Sequence, residues 1–148
     1  MNKHIVQVKF ENKVLAIIIP HNFKQQGITF CTPDEFSQQL AYMNHPKDKQ
    51  IPPHVHNPVK RDVAYTREVL FIRHGKVRVD FYSEKRKYIQ SQILQTGDVI
   101  LLASGGHGFT MLEPTEMIEV KQGPYAGEAD KTRFIGIEET EVKFKKDK

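Results

Sequence analysis

In EVLFIRHGKVRVDFYSEKRKYIQSQILQTGDVILLASGGHG, residues 68–108, four strand-length apolar runs alternate with turn chemistry. The runs at 69–72, 77–82, 89–94 and 99–103 are separated by His74-Gly75, by the polar residues 83–87 and by Thr96-Gly97-Asp98. Short strands at this spacing, with hardly any sustained helical period, predict a β-barrel or β-sandwich. Both faces of the first run are apolar: Leu70 and Ile72 share the face of Glu68, and Val69 and Phe71 take the other. One face is expected to line the interior and the other to pack on the N-terminal strands or a second subunit.

Outward from this block, 116–121 and 133–137 read as further strands. At the N-terminus Val6, Val8 and Phe10 alternate with polar residues. The turn Glu11-Asn12-Lys13 and the apolar run 14–19 follow, so residues 4–19 predict a hairpin. Thr32-Pro33-Asp34-Glu35 carries a cap, an N1 proline and the acid of a capping box, which predicts one short helix near 33–39. Residues 40–43 resume as strand, and Asn44-His45-Pro46-Lys47-Asp48 is turn chemistry. No repeat or linker divides the 148 residues. A single domain, 1–148, is expected, with the barrel over about 40–120.

Composition narrows the function classes. The single cysteine, Cys31, permits no internal disulfide and fits a reducing compartment as a buried thiol. The longest apolar runs are too short to span a bilayer, and the N-terminus lacks the continuous apolar core of a secretory signal, so a cytoplasmic protein without membrane contact is expected. The net charge of +4 sits largely at the chain ends. The basic end, 141–148, reads as a frayed, solvated tail rather than a nucleic-acid stripe.

Chemistry concentrates at three places. In Pro52-Pro53-His54-Val55-His56 the two histidines are at i and i+2, on one side of an extended segment, where two imidazoles can share an ion. Glu68 heads an apolar strand, where an inward carboxylate is expensive unless something compensates its charge; a cation would do so. Gly105-Gly106 lets the backbone bend sharply and deliver His107 inward, and a histidine between glycines has little packing purpose of its own.

These three places resemble the two motifs of the cupin superfamily. The first motif is Gly-x5-His-x-His-x3or4-Glu-x6-Gly, with His54 and His56 in the paired places and Glu68 six residues ahead of Gly75. The second is Gly-x5-Pro-x-Gly-x2-His-x3-Asn, followed by Gly97, Gly105 and His107. The departures are an eleven-residue spacer, 57–67, between His56 and Glu68, Ala103 for the proline, one residue rather than two before His107, Met111 for the asparagine, and no opening glycine. The spacer reads as an enlarged hairpin loop at the barrel mouth, since longer loops cost little closure entropy. Asp62 is the rival acidic ligand.

The resemblance implies an all-β, cupin-type jelly-roll barrel with a metal held by His54, His56, Glu68 and His107. That donor set suits a divalent transition metal: Fe, Mn, Ni, Co or Zn. It implies an enzyme acting on a small polar substrate such as a sugar or nucleotide-sugar, of isomerase, epimerase or dioxygenase type. The alternative is a non-catalytic metal-stabilised module that binds or senses a small ligand. Tyr65, Arg67, Tyr125, Lys131 and Arg133, with Lys60 and Arg61, are candidates for an anionic substrate group at the mouth. Tyr42, Tyr65 and Glu119 are candidates for a general base. Barrels of this kind pair through strand edges, so a homodimer is expected.

Overall fold

The computed structural model describes residues 4–145; the end of the expected basic tail, 146–148, lies outside the described residues. It contains ten strands: β1 (Val6–Phe10), β2 (Lys13–Ile19), β3 (Gly27–Phe30), β4 (Ala41–Asn44), β5 (Glu68–His74), β6 (Lys76–Tyr82), β7 (Tyr88–Gln95), β8 (Val99–Leu102), β9 (Gly106–Met111) and β10 (Glu116–Lys121). They form a five-stranded sheet in the order β1-β2-β8-β5-β10, a three-stranded sheet β7-β6-β9 and the hairpin β3-β4, all antiparallel. The sheets do not close into a barrel; they make a sandwich. The N-terminal hairpin of the sequence reading is β1-β2, and it joins the large sheet through β2 and β8.

Period-2 alternation builds the main core. Leu70, Ile72, Ile100 and Leu102 from the large sheet meet Val77, Val79, Phe81 and Leu94 from the small one, with Val8, Ala16 and Ile18 closing the layer. At about 1.5–3 kcal/mol for each fully buried aliphatic or aromatic side chain, this layer is the main stabilising term. Val69 and Leu101 point the other way, into a second cluster with Ile17, Ile19, Phe23 and Cys31. Segment 20–44 covers that outer face at Val69 and Leu101, whereas Phe71 on the same face is 41% exposed. Cys31 is buried there, and burial pushes its thiol pKa up.

The helix expected at 33–39 does not form; the segment makes isolated turns. Gln39 Nε2 donates to the carbonyls of Pro33, Asp34 and Phe36, so a side chain takes the acceptors that a helix would give to its own amides. Thr32 Oγ1 accepts from the Leu40 amide instead of capping a first turn. Phe36 and Leu40 pack on the sheet, and that anchoring outweighs the local helix signal.

Residues 133–137 are not a strand. They begin a strap that crosses the outer face of β6, with Phe134 edge-on to Tyr82 at 5.0 Å and the Ile137 amide donating to Tyr82 Oη at 2.8 Å. Within the basic tail, Ser91 N donates to Lys143 O at 2.8 Å, and Phe144 bridges to Ser91. Beneath the strap Arg78 donates to Asp80 through Nε and Nη2, at 2.9 and 3.1 Å, and to Glu139 through Nη1 at 2.5 Å. Ser91 Oγ completes the coverage of Asp80. Buried charge is tolerated here because each member is paired.

Candidate functional site

Glu68 opens β5 on the same inward face as Leu70 and Ile72, and His107 lies opposite the core residue Phe81 in the β6–β9 register. One side chain from each sheet therefore meets at the same open end of the sandwich. Glu68 Oε2 and His107 Nε2 stand 3.2 Å apart, the carboxylate 15% and the imidazole 29% exposed. The hydrogen bond from His107, ahead of the opposing effect of burial, holds the Glu68 carboxyl below its usual range, and Lys121 and Lys131 add to it.

The expected bend at Gly105-Gly106 is present. Gly105 has φ +71°, and a Cβ there would lie 2.4 Å from the Tyr82 carbonyl oxygen. A Cβ on Gly106 would press on the Phe134 ring at 3.0 Å. Glycine is needed at Gly105 to turn β9 inward, and Gly106 lets Phe134 sit close behind it.

His54 and His56 do not join the pair. Their rings lie 5.2 Å apart in the exposed stretch 46–65 of segment 45–67, which contains no strand, and His54 Nδ1 is 3.0 Å from the Pro52 carbonyl. Pro52, Pro53 and Pro58 offer no amide to a ladder, and Val55 and Val59 stay 86% and 60% exposed. The chain is tied down again only at Thr66 and Arg67, just before β5. Among the described residues no group of three or more His, Cys, Asp or Glu is arranged to hold a metal ion. The rival acid, Asp62, is exposed in the same segment. The expected hairpin loop at 57–67 has no strand on its N-terminal side.

The pair opens into a cavity of about 630 Å³, whose lining includes Tyr65, Thr66, Glu119, Lys131 and Arg133. Thr66 Oγ1 donates to Asp130 at 2.6 Å, tying the chain before β5 to the turn Gly127–Asp130. Arg133 is engaged by Glu128, and Glu119 by Lys121 at 3.3 Å. Lys131 forms no ion pair among the described residues and contributes to the field at Glu68. Of the other candidates, Tyr125 is 86% exposed and lines neither cavity described here, Lys60 and Arg61 lie in the exposed segment, and Tyr42 packs on Phe23 behind the large sheet.

A second cavity of about 580 Å³ adjoins the first and shares Tyr65, Ser104, Gly105, Gly106, Thr132 and Phe134 with it. Arg67, a candidate from the sequence, lines this chamber rather than the first. Its guanidinium lies 4.1 Å from the Phe36 ring centroid, and Nη1 donates to Ser37 Oγ at 3.3 Å. The backbone amide of Arg67 donates to Gln122 Oε1 at 2.5 Å, which fixes the approach to β5. Phe36, Arg86 and Phe134 line the same chamber and carry no motif; residues so far apart in sequence announce no common site. At the opposite end, His21 Nδ1 pairs with the buried Asp98 at 2.9 Å, a contact that closes the β7–β8 turn and that no sequence signal marked. Compared with protein-family models, curated proteins and solved structures, the chain matches none.

Proposed function

We propose that this chain is a cupin-type protein that binds a divalent transition metal through Glu68 and His107, with His54 and His56 completing the set. The ion would serve a reaction on a small polar molecule in the adjoining cavity. The observation that carries the reading is the Glu68–His107 contact: a carboxylate and an imidazole converge from two sheets at a cavity wall. Those two donors fit a borderline cation. His54 and His56 do not reach them as the segment lies here.

The topology supports the same reading. Apart from the β6–β7 hairpin, successive strands from β5 to β10 exchange sheets in the manner of a jelly roll, with β5, β8 and β10 in one and β6, β7 and β9 in the other. The outer edge of β9 is unpaired, and an extended 51–58 segment would have a ladder to join there. When bound, the metal supplies Lewis-acid polarisation of a substrate oxygen. The chain's own part is to keep Glu68 ionised, to aim the imidazole of His107 inward and to hold Lys131 beside an anionic substrate group. Among the described residues no helix is long and apolar enough to cross a membrane. A cytoplasmic homodimer is part of the proposal, and the open edge of β10, where Ile118 and Val120 are each 51% exposed, supports the pairing.

Metal analysis of protein purified without added metal tests the assignment, with wild type beside His107→Ala and His54→Ala. Near-stoichiometric metal in the wild type and its loss in both variants is the expected result. Loss in His107→Ala alone would remove the His54 arm of the reading. Sub-stoichiometric metal in the wild type, with no thermal shift on adding any of the five ions, would overturn it.

A further inference from the structure

We propose that the second chamber is a subsite for the phosphoryl group of a ligand whose other end reaches Glu68 and His107. The two cavities share a wall of glycines and Phe134, so one elongated molecule can occupy both. Several cations around this sandwich are already neutralised. Lys13 is held by Glu84, Lys121 by Glu119, Arg133 by Glu128, and Arg78 by Asp80 and Glu139. Arg67 and Arg86, which both line the second chamber, form no ion pair among the described residues.

Both guanidiniums are instead set over aromatic faces, Arg67 at 4.1 Å from Phe36 and Arg86 at 5.8 Å from Phe134. A stacked guanidinium turns its N–H edge to acceptors in its own plane; Arg67 uses Nη1 on Ser37 Oγ, which leaves its other N–H groups for a ligand. Arg86 is further fixed by the β6–β7 turn: it has φ +64°, and its amide donates to Ser83 O at 2.9 Å. Two forks from separate elements suit an anion with several oxygens, which a phosphoryl or diphosphoryl group provides and a lone carboxylate does not.

Glu84 and Glu35 also line the chamber. Glu84 is occupied by Lys13, and Glu35 has no ion-pair partner among the described residues. Glu35 therefore opposes the anion and limits its affinity. The proposal rests on the metal-site reading only for the far end of the ligand; the phosphoryl contacts stand without it.

Calorimetric titration of the full, metal-free chain at low ionic strength, with inorganic pyrophosphate and with uridine diphosphate, tests this. Saturable binding of pyrophosphate is expected. Arg86→Gln and Arg67→Gln should each weaken it about tenfold, as the loss of a charge-assisted contact does. Glu35→Gln should tighten it, and Arg73→Gln, at the far end of β5 and paired with Glu116, should leave it unchanged. Arg86 is exposed, so its variant keeps the fold, and an unchanged melting curve verifies this. Tighter binding of uridine diphosphate assigns a nucleotide ligand stacked on the aromatic walls, and equal binding assigns the phosphoryl group alone. Absence of saturable binding by either probe, or binding indifferent to Arg86→Gln, overturns the proposal. His107→Ala should retain pyrophosphate affinity, so failure of the metal reading and failure of the anion subsite give different results.

Discussion

Arg78 is a fully engaged cation in the covered face of the small sheet, and its chemistry makes one pH dependence explicit. Glu139 reaches it from the strap, and the hydrogen bond from the guanidinium lowers the Glu139 pKa below its ordinary 4.5. A carboxyl depressed on folding contributes stability that is complete above the unfolded value and is lost as pH falls through the folded one. Urea unfolding of the wild type should therefore show stability falling as pH drops below that ordinary value, and Glu139→Gln should flatten this part of the profile. An unchanged slope would mean that the exposed side of the pair is screened. Glu68 is legible at the same scale in one respect: alternation puts it on a single face with Leu70 and Ile72, and the fold makes that face the inward one. What relieved its charge in this structure is His107 rather than a third or fourth donor.

Among the elements, β9 depends on its leading glycines. Gly105→Ala would place a methyl group 2.4 Å from the Tyr82 carbonyl and force an alanine to φ +71°. A loss of about 1–3 kcal/mol is expected from the backbone conformation, measured by denaturant midpoint, together with weaker binding of any metal at His107. A variant as stable as wild type would show that the bend tolerates a side chain. Strands β5 to β8 and β10 lie close to where period and turn chemistry put them, because each is long enough to show its alternation. The helix at 33–39 was misread because its capping signal is local, whereas the Gln39 side chain that captures its carbonyls acts through a folded loop. Strand β3 gave no signal: its four residues are too few to establish a period.

For the whole molecule, the strap couples the covered face of the small sheet to the site end. It runs from Phe134, which lines both cavities, past Tyr82 and Arg78, to Tyr88 and Ser91. Truncation after Gly136 removes the partners of Tyr82, Arg78, Tyr88 and Ser91 while leaving Phe134 in the chain. At about 1 kcal/mol for each hydrogen-bonded contact, the melting midpoint should fall by about 5–15 °C. Pyrophosphate affinity should fall with it because Phe134 loses its backing. A truncated chain with full affinity and an unshifted midpoint would show the strap to be passive. Melting curves and calorimetry on the same preparation give both readouts.

The sequence by itself determined that this protein is all-β, that Leu70 and Ile72 share a face with Glu68 along β5, and that the chain bends at Gly105-Gly106. Alternation and glycine are local constraints on the backbone, so a linear reading can see them. Only the tertiary structure decided that two sheets make an open sandwich, that segment 20–44 rather than a helix covers the large sheet, and that Glu68 meets His107 while His54 and His56 lie in solvent. The physical reason is the same in each case. Two imidazoles at i and i+2 share a direction only within a strand, and a strand exists only where another edge supplies its hydrogen bonds.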